Sequence, residues 1–256
     1  MNLPVKYNFK DFTLENYKYI LSLIKEKFKT ITFDEVFNSE QKSKILLLRH
    51  DIEFSVAIAL KMAEMEKEQG LLSTYFIQLH SEFYNPLDKD SFEAINRIKE
   101  LGHKLGLHFD AHFWNVRNEY ELEKYLEIDK STLETYFRVT IDAFSFHNTN
   151  NFILSFNKEK YANLVNVYSK KIMSEFGYCT DSTGYWRYER LEDRIKSGND
   201  DKLHILIHDG MWQNEILPPR QRVFKVIDER AAYLKKLYDE TLKRFGAKNI
   251  DWEEIY

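Results

Sequence analysis

The sequence predicts an α/β domain with a mainly parallel sheet, and three observations carry that prediction. Short continuous apolar runs that end in polar residues, such as KILLLRHD (44–51) and LHILIH (203–208), have the pattern of strands buried on both faces. Segments with helical spacing alternate with these runs, as βαβ units require. With only eight Gly and four Pro, no linker-like stretch divides the chain, so one domain is expected over residues 1–256.

The elements follow in order. Leu14–Phe28 is expected to be helical, with Thr13 as N-cap and Tyr17, Ile20, Leu21 and Ile24 on one face. After the first buried run, a helix from Ala57 to about Gln69 is closed by Gly70, which suits a left-handed C-cap. STYFIQL (73–79) is β-branched and aromatic, hence a strand. A helix over Ser91–Leu101 ends at Gly102, and HKLGLH (103–108) is the next strand. Glu119–Phe137 reads as helix, VTIDAFSF (139–146) as strand and Tyr161–Phe176 as helix. LHILIH and a long helix from about Gln221 to Phe245 complete the order.

Composition excludes several classes of function. Lys and Arg number 37 against 41 Asp and Glu, and no single-sign block is long enough to track phosphates, so nucleic acid is not an expected partner. No apolar run is long enough for a membrane span. The N-terminal residues lack a secretory pattern and Cys179 is alone, which together lead to the expectation of a cytoplasmic protein.

In parallel sheets chemistry collects where strands end. The first buried run ends in RHDIEFS, where alternation puts Asp51 and Glu53 on one side and His50 on the other. HKLGLH delivers His108, and His112 follows four residues later; SFHN presents His147 and LIHDGMW presents His208. Two carboxylates and four imidazoles thus gather at one rim. One carboxylate with two imidazoles supplies the ligand set of a zinc-type centre that keeps an open position for water. A second carboxylate is then left as a base, and a further histidine as an acid. His50, His80, His103 and His204 are read as structural, and Asp110 either as a partner to the histidines or as a solvated loop carboxylate.

HDIE (50–53), HFDAH (108–112) and LIH (206–208) resemble, in order and spread, the signals of the polysaccharide deacetylase family. This is the NodB-homology or carbohydrate esterase 4 group, and GHKLGLHFD (102–110) is the most telling phrase. The likeness spans roughly residues 45–212. It implies an irregular (β/α) barrel and hydrolysis of an N-acyl group on an amino sugar or surface-glycan precursor. It also implies a divalent metal ion, zinc by donor type, held by Glu53, His108 and His112. Asp51 would be the general base and His208 the general acid. Asp181 would orient and charge His208, and Trp186 would wall the pocket.

Two departures stand out. Glu53 occupies a place usually held by Asp, and FSFHNTN stands where an R-x-x-Y segment is expected. His147 is therefore an alternative ligand to His112, or with Asn148 a substrate contact; Tyr185, Trp186 and Trp212 are further candidates for meeting a sugar. The remaining alternatives are hydrolysis of another non-peptide C–N bond, such as a formamide or cyclic amide, and an inactive carbohydrate-binding relative.

Overall fold

A computed structural model describes residues 7–37 and 44–251. In chain order these form α1 (Leu14–Lys27), β1 (Lys29–Ile31), β2 (Ile45–Ile52), α2 (Val56–Gln69), β3 (Thr74–Ile77), α3 (Lys89–Glu100) and β4 (Lys104–Phe109). Then come α4 (Glu119–Phe137), β5 (Ala143–Phe146), β6 (Lys160–Tyr161), β7 (Leu164–Asn166), α5 (Lys170–Glu175), β8 (Gly177–Thr180), α6 (Leu191–Ser197), β9 (Lys202–His208) and α7 (Pro219–Arg244).

The strands make one sheet in the order β6-β7-β5-β4-β3-β2-β9-β8, with β1 also paired to β2. Every pairing is parallel except β6 with β7. No pairing among the described residues joins β6 or β7 to β8, so the barrel is open. All eight residues of β2 are buried, as its uninterrupted apolar pattern requires.

Local signals act as the sequence indicates. The Thr13 hydroxyl accepts the Asn16 amide at the start of α1, whose buried face is Tyr17, Ile20, Leu21 and Ile24. Gly70 closes α2 at φ 73°, a conformation it adopts without a Cβ penalty.

The expected helix over 161–176 is corrected. Ala162 and Asn163 both have positive φ, 47° and 62°, and form the turn of the β6–β7 hairpin. Helix resumes only at α5, capped by the Ser169 hydroxyl. β1, β8 and α6 are additional to the expected elements.

Register places the chemistry. Asp51 on β2 lies opposite His208 on β9 and Phe76 on β3, and Phe76 lies opposite Gly106 on β4. His108, two residues beyond Gly106 and on the same face, lies opposite Ser145 on β5. A Cβ on Gly106 would come within 2.5 Å of the Phe76 ring, so glycine is what lets that ring lie over β4.

Candidate active site

Glu53, just past the end of β2, meets His108 and His147 from β4 and the segment after β5. Glu53 Oε1 is 3.2 Å from His108 Nε2 and 3.1 Å from His147 Nδ1, and those nitrogens are 3.2 Å apart. Bonds of about 2.0–2.1 Å from one ion to three such donors separate the donors by about 2.9–3.4 Å. The triangle therefore fits a divalent cation in size, and its N, N, O composition suits zinc-type chemistry.

The surrounding hydrogen bonds prepare these donors. The Ser145 hydroxyl donates to Asp51 Oδ1 at 3.2 Å, so it accepts from His108 Nδ1 at 2.7 Å. In a neutral ring held this way, Nε2 would be the His108 nitrogen that offers its lone pair to the triangle, the tautomer a metal ligand needs. On His147 the outer nitrogen, Nε2, meets the Asn148 carboxamide at 2.8 Å. A carboxamide has a donor end and an acceptor end, so it can serve His147 in either tautomer.

Glu53 is itself anchored. Its backbone N–H donates to Asp209 Oδ1 at 2.9 Å, and the same buried carboxylate accepts from the Ser55 N–H at the start of α2. Burial works against the Glu53 charge, but His208, His108 and His147 outweigh it and hold its carboxyl well below the usual range.

Asp51 sits behind this triangle, buried and clamped by a residue of its own strand. Arg49 Nε donates to Asp51 Oδ1 at 2.8 Å and Nη2 donates to Oδ2 at 2.5 Å. Alternation puts residues 49 and 51 on one face, so the strand itself builds the bidentate pair. Arg49 also lies 4.6 Å from the centre of the Tyr168 ring and donates to its hydroxyl at 2.9 Å. Burial again opposes the charge, and Arg49 followed by His108 overcomes it, lowering the Asp51 pKa.

His208 and Asp181 form a second buried pair. Asp181 follows β8, and its Oδ1 is 2.6 Å from His208 Nδ1; the His208 backbone N–H donates to both carboxylate oxygens at 3.0 and 3.1 Å. Trp212 Nε1 donates to Asp181 Oδ2 at 2.8 Å. Burial alone would lower the His208 pKa, but Asp181, Glu53 and Asp51 push it up to about 9. His208 Nε2 is thereby left as a charged donor.

Asp51, Glu53, His108, His147, His208 and Asp181 thus come together, and several other expectations are corrected. His112 is not in the triangle: its Nε2 is turned to the Asn148 carbonyl at 2.8 Å, because Asp110 accepts the His112 and Phe113 amides and folds that loop outward. His147, the alternative, takes the third position. Trp186 and Trp212 are closed from solvent and cannot touch a substrate. Trp186 stacks on Phe12 at 5.2 Å, and Trp212 serves the site from behind through Asp181.

His50 and His103 are structural as expected, both bound into a buried cluster around Glu66. His204 is buried between Phe33 and Tyr178. His80 instead reaches the rim, stacked on Phe113 at 3.6 Å and bonded to Asp129.

The triangle separates two cavities. One, of about 250 Å³, is lined by Asp51, His108, His208, Tyr168, Thr183 and Arg187 among others. The other, of about 770 Å³, has Phe54, Phe83, Phe113 and His80 in its walls. Arg49, Ser145, Asp209 and Arg187 were not among the expected site residues. Strand alternation alone puts Arg49 beside Asp51, whereas Ser145 and Asp209 act through pairings between distant segments.

No family model and no curated protein matches the chain. Among solved structures it is similar to a family 4 carbohydrate esterase from Bacillus anthracis, at 15% identity over 82% of this chain and 84% of that one, with a TM-score of 0.45. It is also similar to a peptidoglycan deacetylase from Bacillus subtilis (13% identity, 82% and 100% covered, TM-score 0.44). A third is the chitin deacetylase of the fungus Colletotrichum lindemuthianum (13% identity, 73% and 83% covered, TM-score 0.43). The likeness at this level is one of fold outline, and the chemistry of the site rests on the residues described above.

Proposed function

We propose that this chain is a divalent-metal-dependent hydrolase that removes an N-acyl group, acetyl foremost, from an amino sugar or a glycan precursor. The observation that carries the reading is the triangle of Glu53, His108 and His147, whose three donor atoms lie 3.1–3.2 Å apart beside a charged His208 and an ionised Asp51. The resemblance of HDIE, GHKLGLHFD and LIH to polysaccharide deacetylase signals supports the substrate class.

A cation held by Glu53, His108 and His147, zinc in our reading, would polarise the acyl oxygen and make a water molecule acidic at neutral pH. The remaining work falls to the chain. Asp51, fixed by Arg49 and Ser145, accepts the proton of the attacking water. His208 gives its Nε2 proton to the departing nitrogen, so that an amine leaves rather than an amide anion. Asp181 holds the opposite nitrogen and keeps the imidazole charged until that transfer.

The test combines metal analysis of the purified protein with acetate release from a panel of N-acetylated sugars. We expect about one transition-metal ion per chain, lost in His108→Ala, and acetate release abolished by Asp51→Asn. Release of formate from N-formyl substrates, or opening of cyclic amides without acetate release, would move the chemistry to another C–N bond. A protein that takes up no metal yet binds glycan would be an inactive relative and would overturn the reading.

A further inference from the structure

We propose that Arg187 makes the smaller cavity an anion-recognition site, so that the preferred substrate is an acylated amino sugar bearing a phosphate or carboxylate group. This rests on the hydrolase reading for the sugar, but not for the anion.

Arg187 lines the cavity that holds Asp51, Glu53, His108 and His208. It is exposed, and its guanidinium makes no hydrogen bond, ion pair or ring contact with any described residue; only its backbone N–H is engaged, by the Thr180 carbonyl. The acidic groups of the cavity are already matched. Asp51 has both oxygens on Arg49, and Glu53 faces His108 and His147. Asp181, behind His208, is bonded to that imidazole and to Trp212. Arg187 is therefore a cation beside the reacting groups with no internal counterion.

Its neighbours suit an oxyanion. Thr149 and Ser182 bring hydroxyl groups to the same wall; the Ser182 hydroxyl also meets Thr180 Oγ1 at 2.7 Å, and the Thr183 hydroxyl donates to the Ser182 carbonyl. Thr183 is held at φ 63°, ψ 18°, a left-handed conformation costly for a β-branched residue. Such strain persists only where surrounding structure enforces it, and here it shapes the wall beside Arg187. A planar guanidinium with adjacent hydroxyls matches phosphate and carboxylate oxygens better than neutral sugar hydroxyls.

The experiment compares kcat/KM for N-acetylglucosamine, its 1-phosphate and N-acetylmuramic acid in wild-type protein, Arg187→Gln and Arg187→Lys. We expect wild type to favour at least one anionic sugar by roughly 10- to 100-fold. That ratio should fall to near one in Arg187→Gln and be partly restored in Arg187→Lys. The favoured sugar distinguishes phosphate from carboxylate. Ratios within twofold of one in wild type, or an anionic preference that survives Arg187→Gln, would overturn the inference while leaving amide hydrolysis standing. If no sugar is deacetylated, calorimetric titration with glucosamine 1-phosphate and glucosamine decides separately. Binding of the phosphate that is lost in Arg187→Gln retains the anion site without the hydrolase, and no such difference removes it.

Discussion

At the scale of single residues, the charge on His208 sets when the proposed hydrolysis can run. Burial favours neutral imidazole, yet Asp181 outweighs it and the group stays protonated up to about pH 9, well above the ordinary histidine value of about 6.5. A general acid must hold its proton when the leaving group needs it, so kcat should fall on the alkaline side near pH 9. Asp181→Asn removes the largest supporting charge. That variant should move the alkaline limb toward pH 6.5 and so lower kcat at pH 7.5 by about tenfold, as read from pH–rate profiles. An alkaline limb that does not move would show that another group donates the proton. Asp51 presents the opposite case, a carboxyl kept ionised by a guanidinium only two residues away.

At the scale of elements, the ends of β2, β4, β5, β8 and β9 each deliver one part of the site, and the loops decide which side chains join it. His112 and His147 show the difference. His112 is nearest to His108 in sequence, but the Asp110 turn carries it outward, whereas His147 follows β5, the direct neighbour of β4. We expect His147→Ala to weaken metal binding by at least tenfold in a competition titration with a chromophoric chelator, and His112→Ala to change it less than threefold. Close packing within the sheet gives a second expectation. Gly106→Ala drives a methyl group into the Phe76 ring between Asp51 and His108, and should cost about 1–3 kcal/mol in denaturant unfolding.

Four of the strands that carry chemistry, β2, β4, β5 and β9, were legible in the sequence because strands buried on both faces are apolar runs, and their polar ends stand out. Segment 161–176 was not, because its apolar residues recur at spacings a helix would also produce. The turn at Ala162 and Asn163 lacks the glycine that usually marks a hairpin with two positive φ angles. β8, which places Asp181, is only four residues long, GYCT, and two of its positions are half-exposed. Ser145 and Asp209 needed the register itself, since nothing in a linear sequence ties Ser145 to His108 or Asp209 to the amides of residues 53 and 55.

At the scale of the whole molecule, the site is braced by a polar cluster on the other side of β2. The buried Glu66 carboxylate on α2 accepts from Tyr17 of α1, Tyr75 of β3 and Ser73, and pairs with His50 of β2 at 2.6 Å. His103 closes the cluster through Ser73 at 2.8 Å and the Ala63 carbonyl at 2.9 Å. Burial would raise the Glu66 pKa, but His50 and the converging donors hold it at about 2. A folded-state pKa below the unfolded one means that this stabilisation is complete above about pH 4.5 and is lost as pH falls toward 2. The amount is on the order of 3 kcal/mol. Thermal unfolding followed from pH 6 to pH 2 should show that decline. Glu66→Gln, which removes the carboxylate on which Tyr17, Tyr75, Ser73 and His50 converge, should cost about 3 kcal/mol at neutral pH and lower Tm by roughly 6–12 °C. The position of Arg49 and Asp51 has a different consequence. Clamp and carboxylate share one strand, zipped between β3 and β9, so their spacing is a property of the backbone ladder. Adding a divalent cation and then removing it with a chelator should therefore leave amide hydrogen exchange along Ile45–Ile52 unaltered.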